Sequence, residues 1–388
     1  MADQFLRSPG VRVLRRGVFV ALVLLGTFAL AWASAACGKG EDRPNVEVIG
    51  GAGSVSVSGI SEGGQDEPAG RKYAFSTDQT LNQQISLDIL DVRRVINVAI
   101  DGRPVEWARA IDVYERGKNQ RRPDGSLRTL ASLADAGAHA VFPNGPVVYG
   151  RPTFIDATIR DGLNGAGRAQ GLSDDARREI VDHGLQMLLY AKASQELAAA
   201  RALVEAKAAG ANVPVDAAWA IISGMPDADG ARLYGLLPVA LALEPTFKLQ
   251  GKVAQPLENA FIAALIAAER NEAGAFTKPS GDARAYLNGV FTLGVLRSAT
   301  SAERASAEAV RQVALAEGWA TFQTIRATVA GASAGAAQTL EAAFTRSAAQ
   351  PFTASETQRV YQALNEPAVL QALGLPVSIQ IKTPPAGL

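Results

Sequence analysis

The sequence predicts an all-α protein: an alanine-rich multi-helix bundle, divisible into two packed helical halves, behind a disordered N-terminal tether. Three observations predict it. Long stretches carry apolar residues at three- and four-residue spacing, Gly and Pro clusters interrupt them, and 48% of the 388 residues are apolar while only 6% are aromatic. With so few aromatics, Ala and Leu must supply the core, which suits closely packed helices better than sheets rich in Val, Tyr and Thr.

The bundle is expected from about residue 77 to the C-terminus. Leu81, Ile85, Ile89 and Val92 repeat at helical spacing behind Ser76 and Thr77, and further helices are expected at about 103–117, 174–208, 214–224, 228–243, 255–273, 283–298, 302–330, 335–348 and 354–373. Ser173-Asp-Asp175 caps one start, Gly210 ends an Ala-rich helix and Pro376 follows the last. Period-two alternation is confined to the tether and to Val377-Ser-Ile-Gln-Ile-Lys382, which reads as a short strand or a docked tail. Residues 119–168 hold four turn signals, among them Arg122-Pro-Asp-Gly125 and Pro143-Asn-Gly-Pro146. So long an irregular segment in a helical protein is a place to look for a ligand.

The first 36 residues read as an export signal. Arg12, Arg15 and Arg16 precede an uncharged run from Val18 to Trp32, followed by the small residues Ala33-Ser-Ala-Ala36. Left uncut, Gly17 to Ala36 would just suffice as an anchor helix. Cys37, the sole cysteine, stands directly after the small residues, where Ser34-Ala-Ala-Cys37 resembles a bacterial lipobox with Ser in place of the usual Leu. The expectation is a lipid on Cys37, a flexible linker over 37–76, and a cell-envelope location in the periplasm or on the outer face of a membrane.

Without the leader, 34 basic residues face 37 acidic ones. So even a balance excludes nucleic acid as a partner. The chain lacks His-Glu-x-x-His, a phosphate-cradling Gly-x-x-x-x-Gly-Lys, Gly-x-Ser-x-Gly and any cysteine cluster, and it has two histidines, His139 and His183. No enzyme is expected. What remains for metal chemistry is phenolate and carboxylate oxygen, which suits a hard cation. Glu179 and His183 are four apart and share a helix face with Tyr190, although His183 and Tyr190 are separated by about 10.5 Å of rise. A packed, hydrogen-bonded histidine is the plain alternative there. Trp107 and Tyr114, seven apart, should both point inward, and Asp156 stands near a helix start where Thr153 could cap in its place. The Trp-Ala steps at Trp107, Trp219 and Trp319 echo one another, as Ala-rich helices do by chance.

From about Ile85 onward the chain resembles the low-iron-inducible, iron-assimilating periplasmic proteins, the family that includes phytotransferrin-like proteins. The resemblance rests on Trp107-Ala-Arg-Ala-Ile-Asp-Val-Tyr-Glu-Arg-Gly-Lys-Asn119, Asp124-Gly-Ser-Leu-Arg-Thr-Leu130, Tyr149-Gly-Arg-Pro-Thr-Phe-Ile-Asp156, the segment His183 to Tyr190, Asp216-Ala-Ala-Trp-Ala220 and Ala316-Glu-Gly-Trp-Ala320, in that order. It implies a protein for iron acquisition that holds Fe3+ with a synergistic anion such as carbonate and passes it to an envelope transporter. The matching polar positions are Tyr114, Glu115, Asp156 and Glu317, with Arg128 as the anion partner. Glu179, His183 and Tyr190 complete the candidate metal set. A helical scaffold that binds a partner, and a binding protein for a small organic solute, are the competing readings.

Overall fold

The computed structural model describes residues 72–97 and 103–385. The leader, Cys37 and the linker lie outside the described residues. The body is helical throughout, and among the described residues there is no strand, only two isolated bridges. No helix among them is long and apolar enough to cross a membrane.

Fourteen helices of five residues or more build it: α1 (Ile85–Ile96), α2 (Trp107–Arg116), α3 (Ala136–Ala140), α4 (Gly145–Tyr149), α5 (Phe154–Asn164), α6 (Asp174–Glu205), α7 (Asn212–Ser223), α8 (Leu236–Phe247), α9 (Ala254–Glu269), α10 (Ala273–Arg304), α11 (Glu308–Ala332), α12 (Ala334–Thr345), α13 (Ala354–Leu364) and α14 (Pro367–Leu373). Single α-helical turns at Thr80–Gln83 and Leu130–Leu133 and 3-10 turns at Gly167–Ala169 and Val377–Ile379 complete the order. All lie in one compact unit, Pro68–Leu388. At its centre runs α6, 32 residues long, which at 1.5 Å per residue spans about 48 Å. It packs against α5, α7 and α11, while α10 packs against α9 and α11.

Local chemistry sets the ends. Ser173 accepts from the Ala176 amide and Asp174 and Asp175 fill the first turn of α6, satisfying amides that the helix leaves unpaired and complementing its dipole. Thr353 and Glu356 form a capping box at α13. Small residues then let helices approach. A Cβ on Gly162 would lie 2.7 Å from Val181 Cγ2, and one on Gly184 would lie 2.8 Å from Ile159 Cγ1, so α5 and α6 cross at a distance only glycine permits.

Several expected elements take another form. The segment 119–168 is not irregular; α3, α4 and α5 occupy much of it, because Asp135 caps α3 and Phe142, Tyr149 and Phe154 pack face and edge on one another. The helix expected from 228 begins at Leu236, since Pro226 and Arg232 close a short hairpin. A like hairpin, bridged at Arg121 and Leu127, follows α2. Each is entered through a glycine in nearly the same backbone state, Gly117 at φ 70° and ψ 173° and Gly224 at φ 71° and ψ 178°. Val377–Ile379 is a 3-10 turn instead of a strand, and the tail docks through Asn365 Nδ2, which donates to the Ile381 carbonyl.

Candidate metal centre

The polar residues singled out in the sequence fall into two separate clusters and two structural ties. The first cluster joins α2 to α5. Tyr114 is fully buried and its hydroxyl donates to Asp156 Oδ1 at 2.8 Å. Arg160, one turn along α5, spans both Asp156 oxygens with Nε at 3.0 and 2.9 Å, pairs with Glu115 through its other arm, and lies over the Tyr114 ring. Burial, reinforced by Asp156, pushes the Tyr114 phenol far above its ordinary value. The phenol therefore stays protonated and both carboxylates already have a cation. Thr153 does not cap α5, because its backbone (φ −108°, ψ 45°) does not turn the hydroxyl onto the first-turn amides, so Asp156 is held by Tyr114 and Arg160. Trp107 is partly buried against the core, and its indole donates to Asp174.

The second cluster lies between α6, α10 and α11. Glu179 and His183 stack one turn apart on α6, and Glu317 reaches them from α11. His183 Nε2 stands 3.7 Å from Glu179 Oε2 and 3.8 Å from Glu317 Oε1. The other ring nitrogen, Nδ1, lies 3.0 Å from the Thr321 hydroxyl. Arg297 on α10 pairs with Glu317, and beyond them Asp182 takes Arg93 at 2.9 Å and the Tyr234 hydroxyl at 2.8 Å. His183 is 5% exposed, whereas the Glu179 side chain keeps 24% and that of Arg297 36%, so the cluster is buried at the imidazole and open at its mouth.

The electrostatics are divided. Burial raises the Glu179 carboxyl to about 8, helped by the nearby Glu317 charge. In Glu317 burial pulls the same way, but Arg297 and then His183 outweigh it and hold the group below its ordinary value. Burial lowers the His183 pKa and keeps the ring neutral. With Glu179 protonated, the Asp182 and Glu317 carboxylates face the Arg93 and Arg297 cations and the charges balance.

Two expected site residues serve the fold instead. Arg128 donates to Gln120 Oε1, Asn82 Oδ1 and the Leu81 carbonyl, tying the first hairpin to the helical turn before α1. Three of its five N–H groups are thus committed to protein acceptors. Tyr190 donates to Asn288 Oδ1, so its hydroxyl faces α10 and does not join His183. Arg160 and Arg297 were missed by sequence reasoning. Arg160 was legible as an i,i+4 partner of Asp156; Arg297 had no local signal.

Among the described residues no group of three or more His, Cys, Asp and Glu side chains is placed to hold a metal ion. No protein-family profile, curated protein or solved structure matches the chain.

Proposed function

We propose that this chain is an exported, envelope-held protein for iron acquisition and that Glu179, His183 and Glu317 form its metal centre. One observation carries the reading: a buried imidazole nitrogen faces carboxylate oxygens from two different helices at 3.7 and 3.8 Å. Ligands bound tetrahedrally at about 2.1 Å stand about 3.4 Å apart. Each carboxylate oxygen thus stands within a few tenths of an ångström of that spacing from Nε2. The order of motifs resembling iron-assimilating proteins supports iron as the cargo.

A ferric ion would add more positive charge than the centre can balance, so it would arrive with an anion such as carbonate. Arg297, half-exposed beside Glu317, is the guanidinium placed to receive one, in the role first expected of Arg128. Lipid on Cys37 would hold the protein at the membrane surface, within reach of an envelope transporter.

Titration of the chain lacking residues 1–36 with ferric and ferrous ions, with and without bicarbonate, tests this. Saturable one-site binding that His183→Ala abolishes is the expected result. No binding of either ion would overturn it, and a visible phenolate-to-iron band that Tyr114→Phe removes would move the site to Tyr114.

A further inference from the structure

Helix α8, Leu236–Phe247, has two faces of different use. Leu237, Ala240, Leu243 and Phe247 are buried on one, where α8 packs on α7, α9 and α10. The opposite face is formed by Pro238, Val239, Leu241, Ala242, Pro245 and Thr246, with Leu241 53% exposed. At about 100° per residue these six fall within one arc of about 160°. The arc carries no charge. A helix that faces water ordinarily puts charged residues there, as α2 does with Arg109, Asp112 and Arg116.

The C-terminal end of this face is basic. α8 ends at Lys248, in the left-handed conformation at φ 56°, and the loop to α9 exposes both Lys248 and Lys252. Glu244, buried on the inner face, accepts from the amides of Gly251, Val253 and Ala254 at 2.8–2.9 Å. One carboxylate thus fixes the loop that presents the two lysines. The acidic pair Asp227 and Asp229 lies in the hairpin before the N-terminus of α8. The linker arrives near the basic end: the Tyr73 amide donates to Glu258 Oε1 at 2.9 Å, about one turn into α9, and the Tyr73 ring stacks on Trp219. Exposed Lys72 therefore stands by the start of α9, which Lys252 precedes by two residues.

We propose that the outer face of α8, with Lys72, Lys248 and Lys252, docks the body onto the headgroup region of an anionic lipid bilayer. An uncharged face edged by lysines suits that surface, because apolar side chains enter the boundary between headgroups and acyl chains while ammonium groups meet phosphates. The helix is about 18 Å long, too short to span a bilayer. Pro245 has no N–H to offer the Leu241 carbonyl, which needs a donor that hydrated headgroups supply and hydrocarbon does not. The chain that leads from Cys37 enters beside this face, so lipid on Cys37 and the face of α8 would hold the protein to one surface. The proposal does not rest on the metal centre.

Co-sedimentation of the unlipidated chain lacking residues 1–36, which leaves the compact unit Pro68–Leu388 whole, tests it with vesicles of phosphatidylcholine and of an equal mixture with phosphatidylglycerol. The mixed vesicles should bind the chain more tightly than the neutral ones. Leu241→Glu should weaken binding to both roughly ten-fold. Lys248→Gln with Lys252→Gln should weaken binding to the mixed vesicles roughly 10- to 30-fold, at about five-fold per lysine, and leave the neutral vesicles unaffected. Melting temperatures should match the parent, because all three side chains are exposed. Binding that Leu241→Glu leaves intact, or failure of the parent to bind either vesicle, overturns the proposal. A dimer that Leu241→Glu dissolves in sedimentation velocity overturns it too, and assigns the face to a second copy of the chain.

Discussion

Tyr114 on α2 and Asp156 on α5 meet through one hydrogen bond of 2.8 Å, and Arg160 closes the far side of the same carboxylate. This is a buried phenol satisfied by a paired acid. Tyr114→Phe should therefore cost about 1 kcal/mol in denaturant unfolding. Asp156→Ala should cost more, about 1–3 kcal/mol, because it leaves the phenol without an acceptor and removes both bonds from Arg160 Nε. Neither change should alter metal affinity in calorimetry if the centre lies at His183.

In the metal-free protein Glu179 should contribute stability that is lost as pH rises between the ordinary carboxyl value and about 8. Glu179 keeps its proton to about 8 in the fold, whereas in the unfolded chain it loses it near its ordinary value of about 4.3. Between those limits the native state binds more protons, so unfolding free energy falls with pH. Glu179→Gln should flatten this slope in thermal melts across that window, and a slope unchanged by the substitution would place the proton elsewhere.

Asp216 is fully buried on α7 and accepts from the Tyr73 hydroxyl at 2.7 Å and from both the amide and hydroxyl of Ser76 and of Thr77. One carboxylate thus pins the segment that precedes the first helical turn. Asp216→Ala should cost roughly 3 kcal/mol, since several donors lose their acceptor together. Limited proteolysis should then cut between residues 72 and 80 before the rest of the body, while Asp216→Asn, which keeps one acceptor oxygen, should be cut more slowly.

Gly184 follows His183 directly, and a methyl there would press on Ile159 of α5 at 2.8 Å. Gly184→Ala should cost about 1–3 kcal/mol through the displaced crossing. Because α6 would shift as a unit, metal binding should weaken too. Gly331→Ala, in a helix with nothing within 4 Å, is the control and should leave metal binding unchanged while raising stability by about 0.5–1 kcal/mol.

The helical class, the cap at Ser173 and the common face of Glu179 and His183 follow from residues a few positions apart, and periodicity and capping report such distances directly. Tyr114 with Asp156 was reachable as well, since each carried a local reason to point inward. Which distant groups meet was decided only by the packing of α6, α10 and α11. Thr321 touches His183 across 138 residues, and Arg297 rather than Arg128 stands beside Glu317. Helical spacing fixes a side chain's direction about its own axis but carries no information on which neighbouring helix it faces. That choice is made where glycines such as Gly162, Gly184 and Gly294 let helices cross closely, and it belongs to the tertiary structure.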